Sequence, residues 1–174
     1  MLPIFDELEK QRPGKALGIP RAEGEKLYTF IKENNIKRVI ETGICWGFTS
    51  YYILAAVPED GRLISIEKNI SPNIGKVVPD EWRGKWDIFS GTSKEKLNQL
   101  FIENKNIDLF FHDSDHSPVN QFFEYTTAFP FVKFIGSHDI RLCGPEFAWE
   151  TLIKKYKVKS LVDFGQLGIC EVLK

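Results

Sequence analysis

An α/β fold, with helices wound on both sides of a mostly parallel sheet, is predicted by three observations. Short apolar runs of strand type alternate with longer segments of helical periodicity along most of the chain, the pattern of β and α units laid around one sheet. The first strand-type run leads into a glycine-bearing turn and then a helix, the arrangement in which parallel sheets admit ligands. The last two runs are joined only by Gly165-Gln166-Leu167, a connection too short for a crossover. It suits a hairpin, so the sheet should end antiparallel.

Taken in order, a first helix is expected over residues 22–33, where Leu27, Phe30 and Ile31 recur at helical spacing before Asn34-Asn35. Residues 38–41 (RVIE) form a strand that enters TGICWG, and a helix starting near Thr49 carries Tyr52, Ile53, Leu54 and Ala56. After a turn at 58–61, residues 62–67 (RLISIE) form a second strand ending on Glu67, and 86–89 a third. Ser93 is the expected N-cap of the helix KEKLNQLFIEN, with Leu97 and Leu100 facing inward. The apolar run 107–111 (IDLFF), a helix over 118–128 opened by Pro118, and a strand over 132–136 follow. A helix over 147–156 and strands over 158–164 and 168–173 complete a set of seven strands.

A chain of 174 residues suits one domain spanning 1–174, with 1–20 as an N-terminal extension expected to contribute to a substrate or oligomer surface. Lys plus Arg total 23 against 24 Asp plus Glu, and no basic run stands out, so nucleic acid is a poor partner. No apolar stretch approaches the roughly 20 residues of a membrane span, and the N-terminus lacks the apolar core of a secretory signal. The expectation is a cytoplasmic protein without membrane attachment. Cys45, Cys143 and Cys170 show no CxxC spacing, which argues for reduced thiols over a disulfide framework or a zinc cluster.

Gly43 and Gly47 allow backbone to approach a ligand at the first strand–helix turn, but their spacing is GxxxG. The GxGxxG that seats a dinucleotide pyrophosphate is missing. Glu67, 20 residues beyond Gly47, ends the second strand, where a carboxylate can accept both hydroxyl hydrogens of a ribose. Either feature alone also serves as a tight turn or a solvated strand end; together they point to a nucleoside-bearing ligand. Asp113, Asp115 and His116 follow one strand, and His138 and Asp139 follow the next, so both clusters should emerge at the same carboxyl edge of the sheet. Capping accounts for single members of such clusters, whereas mixed oxygen and imidazole donors on adjacent strand ends suit a divalent ion.

The segment RVIETGICWGFTS followed by LISIE resembles the first two motifs of class I S-adenosylmethionine-dependent methyltransferases. The stretch from IDLFFHDSDHSPVNQFFEY to FVKFIGSHDI resembles their metal-dependent small-molecule O-methyltransferase branch, which includes sugar O-methyltransferases and cephalosporin-hydroxylase-like proteins. The resemblance runs from about Gly18 to the end. It implies a Rossmann-like, seven-stranded sheet with an antiparallel C-terminal hairpin strand. It also implies that Glu41, Gly43 and Gly47 line the methionine side of S-adenosylmethionine, that Glu67 takes the ribose hydroxyls, and that Gly91, Thr92 and Ser93 border the adenine. Asp113 would serve cofactor and metal, His138 and Asp139 would complete the metal ligands, and His116 would be the general base. Thr92 stands where many members have Asp, His112 replaces an apolar residue, and His138 replaces a carboxylate found in some members.

The expected reaction is O-methylation of a small hydroxylated molecule, such as a sugar, diol or catechol, beside Mg or Mn, because a divalent ion makes a weakly acidic hydroxyl a better nucleophile. The segment 141–150 (RLCGPEFAWE) is expected to form part of the acceptor wall, with Arg141 able to meet an anionic group. A homodimer is the expected assembly. Two alternatives are a metallohydrolase, although HDSDH lacks the full HxHxDH spacing, and a non-catalytic nucleoside-binding or interaction protein of the same fold.

Overall fold

The structure, a computed structural model, describes residues 5–12, 18–141 and 146–173, with the side chains of Glu146 and Phe147 outside that description. Cys143 and the middle of the expected acceptor wall therefore lie outside the described residues. The elements run α1 (Asp6–Lys10), α2 (Arg21–Glu33), β1 (Arg38–Thr42), α3 (Phe48–Ala56), β2 (Arg62–Glu67), a 3₁₀ turn (Asp80–Lys85), β3 (Trp86–Ser90), α4 (Ser93–Glu103), β4 (Leu109–His112), α5 (Pro118–Ala128), β5 (Phe134–Ser137), α6 (Glu146–Lys155), β6 (Val158–Phe164) and β7 (Leu167–Val172).

The strands form one sheet in the order β3-β2-β1-β4-β5-β7-β6. All neighbours from β3 to β5 are parallel, and β7 runs antiparallel to both β5 and β6. This is the seven-stranded, doubly wound sheet with a hairpin end that the sequence predicts.

Successive side chains along a strand alternate between faces, and the two cores follow that period. Val39, Leu63, Leu109, Phe111, Phe134 and Ile169 face one core with α2 and α3. Ile40, Ile64, Phe110, Ile135 and Cys170 face the other with α4, α5 and α6. Strands buried on both faces read as nearly continuous apolar runs, as IDLFF does.

Several boundaries differ from expectation. The 107–111 run becomes a strand only at Leu109 and extends to His112, because Asn106 adopts φ 62° and Asp108 turns its carboxylate onto the Lys37 and Arg38 amides, at 2.9 Å each. Strand β5 likewise begins at Phe134 and not at Val132. The N-cap of α4 is Thr92, not Ser93: its hydroxyl accepts from the Glu95 amide at 3.3 Å, and the Glu95 carboxylate accepts from the Thr92 amide at 2.8 Å. That reciprocal pair is a capping box. The short helix α1 and the 3₁₀ turn have no counterpart among the expected elements. Residues 5–12 pack onto the domain, with Phe5 fully buried 4.5 Å from Tyr52 and 5.3 Å from Tyr28, ring centre to ring centre.

Candidate active site

Thr42 pairs with His112 across β1 and β4, and His112 with Ser137 across β4 and β5, so three strands end level. Gly43, Asp113 and His138 therefore leave the sheet side by side. On the other side of β1, Thr42 pairs with Ile66, which brings Glu67 to the same rim. Amphipathic β–α alternation fixes this edge, where open parallel sheets accept ligands.

A cavity of about 500 Å³ opens there. Of the eight residues expected around a cofactor, Gly43, Glu67, Gly91, Thr92, Ser93 and Asp113 line it. Gly43 has φ 83°, and a Cβ there would lie 2.1 Å from the Asp113 carbonyl oxygen, so only glycine lets the loop cross the end of β4. The Glu67 carboxylate accepts from the amides of Ile44 (3.0 Å), Cys45 (3.3 Å) and Asn69 (2.8 Å), at the rim of the cavity.

Gly47 and Glu41 do not line the cavity. Gly47 is the left-handed N-cap of α3, with φ 86°. Glu41 points to the opposite face from Thr42, where it is fully buried and accepts from Ser50 (2.7 Å) and Ser65 (2.6 Å). Burial pushes its carboxyl up to about 8, against the two serine bonds, so it is protonated at neutral pH. Thr92 lines the wall with its hydroxyl engaged in the capping box.

Beside the cavity, Asp113, His116 and Asp139 bring one donor atom each within 4.8 Å of one another. His116 Nε2 lies 3.2 Å from Asp139 Oδ2. Burial, with the nearby His112, holds the His116 ring below its usual value, so it keeps a lone pair at neutral pH. This compact donor set contains His116 in the place expected for His138. His138 is instead wedged among carboxylates, its Nδ1 3.4 Å from Asp113 and 3.3 Å from Asp139, its Nε2 3.1 Å from Glu23. The Glu23 contact has ion-pair distance without hydrogen-bond alignment. Burial works against charging His138, but Asp113, Asp139 and Glu23 outweigh it and push the imidazole up to about 11. Asp113 is in turn held below the usual carboxylate range: burial opposes its charge, while His138 and the Thr49 hydroxyl, 2.6 Å away, favour it.

The oxygen and imidazole donors fit a small divalent ion, whose ligands stand about 2.0–2.2 Å from it. Asp115 is outside this set; its carboxylate accepts from the Ser117 amide at 3.0 Å. Among the described residues Arg141 donates to Asp163 and to the Gly165 carbonyl, turned toward the β6–β7 hairpin.

Two residues in this region belong to no motif read from the sequence. Glu23 comes from α2, 90 residues before Asp113, and only the tertiary fold joins them. Glu124 lies under the cavity floor, fully buried. It accepts from Thr42 (2.6 Å), His112 (2.6 Å), Ser114 (3.0 Å) and Asn120 (2.9 Å). Its position on the inward face of α5, four residues after Asn120, is the one local hint.

A glycine-turn cavity bordered by an acidic strand end, on a 3-2-1-4-5-7-6 sheet, is the Rossmann-like fold of solved O-methyltransferases. The sequence model of the O-methyltransferase family matches residues 2–134, and the chain belongs to that family. The flavonoid 3',5'-methyltransferase of Vitis vinifera is 24% identical over 96% of this chain and 71% of its own length. The caffeoyl-CoA O-methyltransferase of Populus kitakamiensis is 27% identical over 62% of this chain, and the match spans 48% of that enzyme. Among solved structures, the O-methyltransferase of Bacillus cereus in complex with SAH superposes with a TM-score of 0.73 at 16% identity, covering 92% of this chain and 84% of that one. The O-methyltransferase TomG of Streptomyces achromogenes, in complex with SAM, gives 0.72 at 18% identity, covering 97% and 86%. No helix among the described residues is long and apolar enough to cross a membrane.

Proposed function

We propose that the protein moves the methyl group of S-adenosylmethionine onto a hydroxyl of a small diol- or catechol-like molecule, beside Mg or Mn held by Asp113, His116 and Asp139. One observation carries this reading: Asp113 belongs both to the cavity wall and to the three-residue donor set, so methyl donor and acceptor would meet at one carboxylate. When bound, a divalent ion supplies Lewis acidity toward a hydroxyl oxygen, and the sulfonium supplies an already activated methyl group. The remaining task is alignment, which a rigid strand end performs well.

In this proposal Glu67 receives the ribose hydroxyls, the Gly43 turn gives backbone access to the methionine end, and Gly91 to Ser93 border the base. Glu23 and His138 balance charge behind the donor set. The names of the flavonoid and caffeoyl-CoA relatives support an aromatic acceptor with neighbouring hydroxyls.

A second role for His116 has its own support: a neutral ring beside Asp139 can also collect the hydroxyl proton. The two roles separate in His116→Ala. Loss of Mn affinity, read by calorimetry, marks an ion holder. Retained Mn and S-adenosylhomocysteine affinity with turnover reduced about a hundredfold marks a general base.

The test incubates the chain with S-adenosylmethionine and an acceptor panel of caffeoyl-CoA, a flavonoid with vicinal hydroxyls and a sugar diol, with Mg, with Mn, or with a chelator. Methylated product that disappears with the chelator is the expected result. Product unaffected by the chelator removes the ion from the proposal, and no affinity for S-adenosylhomocysteine removes the whole reading.

A further inference from the structure

His112 ends β4 fully buried, and its ring nitrogens have unequal surroundings. Its Nδ1 lies 2.6 Å from Glu124 Oε2. Glu124 is held below the usual carboxylate range, burial being outweighed by His112 and hydroxyl donors, so it is an acceptor and the Nδ1 proton of His112 must be the donor. Both Glu124 oxygens are used twice, by Thr42 and His112 on one and by Ser114 and Asn120 on the other. The carboxylate thus ties β1, β4, the loop after β4 and α5 into one unit. The His112 ring is thereby locked at one edge.

Its other side meets His116. The two imidazoles stand perpendicular, centroids 5.3 Å apart at 84°, while Tyr125 backs His112 at 5.8 Å and 78°. His112 Nε2 and His116 Nδ1 are both buried without a hydrogen-bond partner among the described residues. A lone buried ring nitrogen in each of two touching imidazoles is costly as plain packing. An apolar residue at position 112 would avoid the cost and serve the strand equally well.

We propose that Glu124 and His112 are positioning residues: the carboxylate anchors His112, and His112 fixes the ring of His116 so that its Nε2 points to Asp139 and the donor set. This deepens the functional reading, on which it rests for the role of His116, but the ring order it requires is measurable without any methyl transfer.

The chain contains three histidines, all in this region, so long-range ¹H–¹⁵N spectra of the ring nitrogens in the ligand-free protein resolve each one. In the unmodified chain His116 should give one fixed tautomer. His112→Asn keeps a donor where Nδ1 stood but removes the ring, and Glu124→Gln keeps size but releases the anchor. In both variants His116 is expected to average between tautomers while His138 keeps its signals. Affinity for S-adenosylhomocysteine should change by no more than about twofold, as for a change outside the cavity wall. Unchanged His116 signals in either folded variant overturn the proposal. So do His138 signals that move as far as those of His116, or collapse of the fold in both variants, since each marks a purely structural pair. Methyl transfer that fails while the predicted His116 averaging occurs counts against the functional reading alone.

Discussion

Glu41 and Glu124 are both fully buried carboxyls within one layer of the end of β1, yet their surroundings favour different forms, protonated for Glu41 and ionised for Glu124. Glu41 faces the α2–α3 side, where Ser50 and Ser65 offer two hydroxyl donors to one oxygen and the other oxygen is unpartnered among the described residues. Burial dominates, and the group stays protonated up to about 8. Glu124 faces the α5 side, where four donors, one of them an imidazole, keep it ionised. Burial alone neutralises a carboxyl; the number and charge of its donors decide whether it does. The ionised one lies beneath the candidate site, and the neutral one lies behind it.

Removing the ionised partner should have the largest effect. Glu124→Leu leaves His112, Thr42 and Ser114 without their acceptor and removes one of those of Asn120, and orphaning a buried pair costs roughly 3–5 kcal/mol. Urea unfolding at neutral pH checks this. A loss below about 1 kcal/mol would mean the four donors find other partners.

The two carboxyls should also give opposite pH slopes. The folded value of Glu124 is depressed, so its contribution is present above the unfolded carboxyl value and lost as pH falls through the folded one. The folded value of Glu41 is raised from 4.5 to about 8, so its contribution is present at acid pH and lost as pH rises across that interval. Between pH 6 and pH 8 the second effect amounts to roughly 2–3 kcal/mol. Glu41→Gln should flatten that slope, leaving the variant more stable than the parent above pH 8. An unchanged slope would show that Glu41 is ionised in the fold.

This contrast also explains what was legible in the sequence. Strand–helix alternation, the glycine turn, Glu67 and the acid–histidine ends of β4 and β5 are local signals, and each describes backbone that a short segment determines by itself. The capping box at Thr92-Ser93-Lys94-Glu95 is an equally local signal and stands one residue before the expected N-cap, Ser93. Which way a side chain turns at a strand end depends on period-two phase. Glu41 and Thr42 are neighbours in sequence, but only Thr42 faces the cavity side. The placement of His138 among carboxylates was hidden for a different reason. It depends on Glu23, whose approach to His138 is set by how α2 docks against the far side of the sheet.

The smallest predicted effect isolates single hydroxyls. Thr42→Val removes one of four donors to Glu124 and keeps side-chain size, and Ser50→Ala removes one of two donors to Glu41. A hydrogen bond to a charged group contributes about 1.5–3 kcal/mol and one to a neutral group about 1 kcal/mol. Thr42→Val should therefore cost more at neutral pH, although it leaves three donors in place. Ser50→Ala should cost less and extend the alkaline loss of stability to higher pH, because the remaining environment favours the proton further. Parallel thermal melts from pH 5 to pH 9 read both; equal costs would mean that Glu41 and Glu124 carry the same charge.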